Sequence, residues 1–344
     1  MKKTLIALAA LASVATSGAA FAQATITGFM AAGYQTVTTG GASTATAGGF
    51  GVDTAELYIT AKEDIGGGMT AGGTMGIGGL ERAAKTFSAK AQAAVDLVGG
   101  GSQYPTYGTN FTIYVQNAMG KLTLGSVKSG DYISSGLASS GVNYYDFGDF
   151  GNFGARSHRD IISFDTKVGP IALTLSHQES ANQVGVYNGA EGASGQRISI
   201  ISGTYAEGAI KANAQYFTYD NQVAGSQTSP ANVFRLSGNY NLGIATVGAG
   251  MQRGTLVYGN TATNLGLSAS LPMGALTLGA MIGSRVLDGA SVAAANGTLA
   301  SYSLNANYAL SKRTGVTGQY SNWDQALGAA NKSNMALVLL THSF

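Results

Sequence analysis

One pattern recurs along this chain after its first two dozen residues. A run of about ten residues alternates apolar and polar, and a break follows. Leu265, Leu267, Ala269 and Leu271 oppose Asn264, Gly266, Ser268 and Ser270. Phe234, Leu236, Gly238 and Tyr240 oppose Arg235, Ser237 and Asn239, and Leu276, Leu278, Ala280 and Ile282 oppose Thr277, Gly279, Gly283 and Arg285. Ile210, Ala212, Ala214 and Tyr216 oppose Lys211, Asn213 and Gln215, and Leu57, Ile59 and Ala61 oppose Glu56, Tyr58, Thr60 and Lys62. Successive side chains of a strand point to opposite faces, so period two gives each strand one wet face and one apolar face.

A soluble sandwich alternates too, so the connections decide between architectures. Long breaks fall near 39–51, 81–109, 128–156, 180–195, 220–230, 254–262, 287–297 and 323–332. Short ones fall near 64–67, 118–120, 169–170, 207–208, 241–243, 272–274 and 311–312, and the two kinds take turns. Greek-key sandwiches do not produce such regularity. An up-and-down antiparallel barrel does, with loops at one end and tight turns at the other. Fifteen connections join sixteen strands. At that number side chains no longer fill the interior, and an aqueous channel remains. The fold expected is therefore an all-β transmembrane barrel of about sixteen strands, with its polar face on water and its apolar face on lipid. Tyr240, Tyr308, Tyr320 and Phe344, at strand ends on the apolar parity, are expected in an interfacial aromatic girdle. The stretch Glu81 to Val98 reads as a short helix over the rim.

Composition agrees. Charged residues make up 10% of the chain, against about 25% in ordinary soluble domains. Beyond the first residues no apolar run reaches the roughly 18 residues that a membrane helix needs. Fifty-one glycines accompany many turns, and without a cysteine no disulfide can contribute stability. Lys2 and Lys3 precede an apolar run, Thr4 to Val14, that ends in Ala20-Phe21-Ala22. This is the pattern of a signal peptide cleaved after Ala22, leaving residues 23–344 as the barrel domain. Of 19 basic and 17 acidic residues, the signal removes two bases, so the barrel is formally neutral and does not call for nucleic acid.

Catalytic and metal motifs are absent. His158, His177 and His342 share no ligand spacing, and no G-x-S-x-G elbow occurs. A Ser–His pair around His177, with Ser176 and Ser180 near it, falls on the apolar parity and reads as a rim histidine. Gly66–Gly68 and Gly99–Gly101 lack the Lys-Ser/Thr ending of a phosphate loop. Asp146 to Asn152 gathers oxygen ligands but lacks the spacing and final acid of a calcium loop. No enzyme activity, metal or cofactor is expected.

The sharpest signal lies at the end. Met335 to Phe344 alternates and stops on Phe344, with His342, Leu340 and Val338 on the same face. This resembles the terminal strand of Gram-negative outer-membrane proteins, whose last aromatic is read by the barrel-assembly machinery. Tyr308-Ala309-Leu310-Ser311-Lys312-Arg313-Thr314 resembles the last periplasmic turn of beta-proteobacterial general porins. Glu63-Asp64-Ile65-Gly66-Gly67-Gly68-Met69 resembles their first such turn, and Gly120-Lys121-Leu122-Thr123-Leu124-Gly125 the hairpin before their constriction loop.

The resemblance implies a homotrimeric diffusion porin of the outer membrane, in contact with lipid and lipopolysaccharide, that passes small hydrophilic solutes and ions. It implies a third external loop, about Lys128 to Arg156, folded inward with Asp131, Asp146 and Asp149 facing wall cations. The wall cations expected on lumenal parity are Lys62, Lys121, Arg159, Arg235 and Arg285. Family arginines are missing where Glu56 and Ser126 stand, so weak selectivity of either sign is expected. A substrate-specific channel is the alternative, with Tyr132, Tyr144, Tyr145, Phe147, Phe150 and Phe153 in that loop as its candidate sites. A barrel enzyme and an adhesive surface protein are the rivals from other classes. The outer face of the first strand, Ile26, Gly28, Met30 and Ala32, is small or flexible enough to pack against a neighbouring copy.

Overall fold

A computed structural model describes residues 23–40, 45–78, 107–129, 157–179, 197–220, 230–256, 259–289, 296–324 and 332–344. The expected signal peptide, the stretch Glu81 to Val98 and the loop residues 130–156 lie outside the described residues.

The described residues form sixteen strands: β1 (Gln23–Thr39), β2 (Ala45–Gly66), β3 (Met69–Gly78), β4 (Tyr107–Asn117), β5 (Gly120–Ser129), β6 (Ser157–Val168), β7 (Ile171–Glu179), β8 (Arg197–Glu207), β9 (Ile210–Asp220), β10 (Pro230–Asn241), β11 (Thr246–Leu256), β12 (Thr261–Met273), β13 (Leu276–Asp288), β14 (Gly297–Ala309), β15 (Thr314–Asp324) and β16 (Lys332–Ser343). Each pairs antiparallel with its chain neighbours, and β1 pairs with β16 to close the barrel. Closure leaves no strand edge unpaired, the condition for placing a sheet in lipid. Sixteen strands about 4.8 Å apart and tilted about 40° set a backbone cylinder of roughly 16 Å radius.

The short turns are built by local chemistry. Asp64, Asn117 and Asn241 turn their side-chain oxygens back onto Gly66 N, Met119 N and Gly243 N at 2.8, 2.9 and 2.8 Å. In the last turn Ser311 Oγ accepts from Arg313 N and Thr314 N. Gly208 and Gly274 take φ of 56° and 64°, values a side chain rarely tolerates, and so reverse the chain within two residues. The first external connection is shorter than the expected 39–51. The backbone ladder of β1 and β2 continues through Gly48, Gly49 and Gly51 up to Thr39 opposite Ala45. Glycine carries no strand-pattern signal, but its amides still pair.

The faces follow the alternation. Phe111, Ile113, Leu124, Ile201, Leu265, Leu267, Ile282, Leu304, Val338 and Leu340 are exposed on the outside. Gln252, Asn264, Ser268, Ser303, Gln319 and Ser321 are turned inward. Tyr240, Tyr308 and Phe344 stand exposed beside the short-turn end, as expected of a girdle. Tyr320 stands higher, paired across strands with Leu304 and 6.1 Å from the Tyr302 ring.

The inner face departs from the polar expectation in two places. In β16 the inward residues Met335, Leu337 and Leu339 are apolar and buried, packed with Ala31, Phe29, Val37 and Trp323. On β8 to β12, Ile198, Phe217, Tyr219, Val233, Leu256 and Ala262 form a second buried cluster. Neighbouring strands carry these side chains side by side, so they shield one another from water, which alternation along a single strand does not reveal.

Candidate functional site

The functional surface of such a barrel is its inner wall, and cross-strand register decides which charges meet there. Glu56 pairs in register with Phe29 on the inward parity and accepts the Tyr58 hydroxyl at 2.6 Å. Lys62, six residues along β2, shares that face and is exposed. Lys121 and Asp165 are register partners on β5 and β6, with Nζ 3.4 Å from Oδ2. Lys121 also lies over the Tyr114 ring, 5.9 Å from its centroid. The second carboxylate oxygen of Asp165 accepts from Thr174 Oγ1 at 2.7 Å.

Arg159, Arg235 and Arg285 also point inward, but Arg159 and Arg235 are buried in the wall at 5% and 7% exposure. Arg235 donates from Nε to Gln252 Oε1 at 2.8 Å and from Nη1 to Gln215 Oε1 at 3.1 Å, and its guanidinium stacks on Phe217 at 5.0 Å. Both carboxamides thereby hold the cation at a set angle. Further polar side chains brace the same wall: Asn213 Nδ2 donates to Ser202 Oγ and Thr204 Oγ1, and Gln319 Nε2 to Ser321 Oγ. Buried polar groups paired in this way rigidify a wall.

Two expectations are corrected. Ser126 pairs with Phe111, which is 54% exposed on the outer face, while Thr112 pairs with the inward Gly125. Position 126 therefore faces outward, and a cation there would not line the lumen. Lys128 lies within β5, opposite His158 in register, and not in the following loop. Asp131, Asp146, Asp149 and Arg156, with the loop's aromatics, lie outside the described residues.

The histidine on the apolar parity has found a serine, though not the one next to it in sequence. Ser176 turns inward, while His177 Nδ1 meets Ser199 Oγ of β8 at 3.0 Å. His177 Nε2 meets Glu179 Oε1 at 3.3 Å, and Arg197 Nε stands 3.6 Å from the same oxygen. The group caps an outward apolar groove lined by Leu122, Ile162, Phe164, Leu175, Ile201 and Tyr216. Among the described residues, the backbone N–H groups around it belong to the β6–β7 and β7–β8 ladders and form no oxyanion hole. The cluster has the make-up of a polar rim above an apolar band.

Sixteen antiparallel strands closed on themselves, apolar outside and lined with polar and charged side chains inside, define a bilayer-spanning channel barrel. Residues 7–325 match the family model of the Gram-negative porins, and the chain belongs to that family. It is an outer-membrane channel for diffusion of small hydrophilic solutes and ions, and its family is one of channels without catalytic activity.

Among solved structures, the barrel is similar to an anion-selective porin from Comamonas acidovorans, at 19% identity and TM-score 0.66, covering 94% of this chain and 100% of that one. It is also similar to OmpT of Vibrio cholerae in a trimer form, at 11% identity and TM-score 0.65, over 94% and 99% of the two chains. An engineered porin of Rh. blastica matches at 16% identity and TM-score 0.60, over 94% and 100%. No curated protein matches this chain in sequence.

Proposed function

We propose that the channel is a passive, non-catalytic pore of weak charge selectivity, whose filter is the charge pattern of the inner wall. The observation that carries this is the mixture of signs there. Glu56 and Asp165 share the inward face of β2 to β6 with Lys62, Lys121 and Arg159. Among the described residues, the inward faces of β7 to β16 carry Lys211, Arg235 and Arg285 and no carboxylate. The described carboxylates of the wall are thus confined to β2 to β6 and face cations across the lumen, which sets up a transverse field that orients dipolar solutes and filters ions. The reading extends to the third external loop, where Asp131, Asp146 and Asp149, between Lys128 and Arg156, would add acids to face those cations.

The same proposal makes the protein a homotrimer, as the trimer form of the Vibrio cholerae barrel supports. Outward residues Ile26, Met30, Tyr34 and Phe50 offer an apolar contact beside the β1–β16 seam, with Tyr34 and Phe50 edge to face at 4.9 Å. Residues 1–22 act as a cleaved export signal, and Phe344 serves the barrel-assembly machinery. Lipid and lipopolysaccharide contact the outer band and its polar rim at Glu179 and Arg197.

Single-channel recording across a salt gradient tests the reading. Stepwise conductance with a reversal potential near zero is expected. Folded protein without conductance would remove the channel, and near-ideal selectivity of either sign would remove the mixed wall.

A further inference from the structure

One inward row crosses six strands at a single level. Ser202, Gln215, Arg235, Gln252, Asn264 and Arg285 are successive register partners from β8 to β13. Arg235 is fixed by two carboxamide oxygens and by the Phe217 ring. With its oxygen committed to Arg235, Gln252 carries its amide N–H groups on its other terminal atom.

Asn264, next in the row, is fully buried, and neither its Oδ1 nor its Nδ2 meets a hydrogen-bond partner among the described residues. Native proteins seldom bury an amide in that condition, and such a group is suited to meet a polar guest. On the far side of Asn264 stands a second guanidinium, Arg285. The strands of Arg235 and Arg285 are about 14 Å apart, three strand spacings, with Gln252 and Asn264 in register between them. The charges of this half of the lumen favour such a guest, since its described inward residues include three cations and no acid.

We propose that Arg235, Gln252, Asn264 and Arg285 form a subsite buried in the wall for a small oxyanion, a carboxylate or a phosphate. Guanidinium forks match both groups, and the amide N–H of Asn264 adds a neutral donor. The subsite rests on the diffusion-channel reading and deepens it, because it makes the pore wall a selective binder of one solute class.

Chloride current through the full-length protein in planar bilayers tests it, with inorganic phosphate or succinate added at fixed ionic strength. Concentration-dependent block by at least one of the two is expected, and which one blocks identifies the oxyanion. Arg285→Gln should weaken the block about tenfold or more, the loss of a charge-assisted contact. Asn264→Leu, which changes no charge, should also weaken it, and Asn264→Ser serves if the leucine variant fails the heat-modifiability test of folding. Lys211→Gln removes a lumenal cation outside the row and should shift the block less than about twofold. Chloride conductance with block by neither anion overturns the subsite and leaves the channel standing. A Lys211→Gln effect as large as that of Arg285→Gln also overturns it, because the block then reports only the general field. Absence of any chloride current overturns the channel reading itself.

Discussion

Phe344 closes the barrel on Gly28. Gly28 N donates to Phe344 O at 2.9 Å and Phe344 N to Gly28 O at 3.1 Å, while the ring, at its Cζ, occupies the space where a Cβ on Gly28 would stand. Because the obstacle is the far end of a side chain, Gly28→Val should displace the ring at a cost of about 1–3 kcal/mol.

Gly33, on the same seam, should be less forgiving. A Cβ there would run into the Val338 carbonyl oxygen and lie 2.8 Å from the Leu339 Cα, and backbone cannot swing aside. Gly33→Ala is expected to lose more stability than Gly28→Ala in urea unfolding followed by heat-modifiable mobility. Equal losses would show that the seam is looser than this geometry.

Arg235 ties three strands through Gln215 and Gln252. Arg235→Met keeps much of the volume but leaves both carboxamide oxygens without the guanidinium, and should cost about 2–4 kcal/mol by chemical denaturation. Arg235→Lys should recover little of that, because a point-like ammonium cannot serve two diverging acceptors as a planar fork does.

The selectivity filter makes a signed prediction. Glu56→Gln removes a lumenal negative charge and should move the reversal potential toward anion preference, with Glu56→Lys moving it further. Lys121→Gln leaves Asp165 without its cation and should move it the opposite way. Shifts of one sign for both would contradict the inward placement of one of the two.

Adjacent residues of β4 separate lipid from lumen. Ile113 is 52% exposed on the outer face, and Thr112 faces in. Ile113→Arg should cost about 2–4 kcal/mol near the bilayer midplane, and Thr112→Arg far less. Refolding into vesicles followed by urea titration reads both.

Much of this molecule could be read along the chain because its determinants are local. Period two assigns each side chain to a face once one residue is placed, so the sequence reads Arg235, Arg285, Glu56 and Lys121 as inward, the parity that the strand register gives them. Turn residues such as Gly208 and Asn241 mark reversals by their own chemistry, so the count of sixteen strands followed from the spacing of breaks. Likeness to a family does not give the face of Ser126, which its neighbours Leu124 and Gly125 fix as outward.

What lies across strands was not readable. Period two says that Asn264 points inward but not that it stands between Gln252 and Arg285, nor that His177 meets Ser199, 22 residues away, when Ser176 precedes it in the chain. It likewise does not show that Met335, Leu337 and Leu339 find apolar company on β1. The sequence by itself determined the strands, their order and their two faces, because these depend on residues within one strand and its turn. Only the tertiary structure decided which inward residues share a level, because the closing ladder between β1 and β16 fixes the stagger of every strand against its neighbours at once.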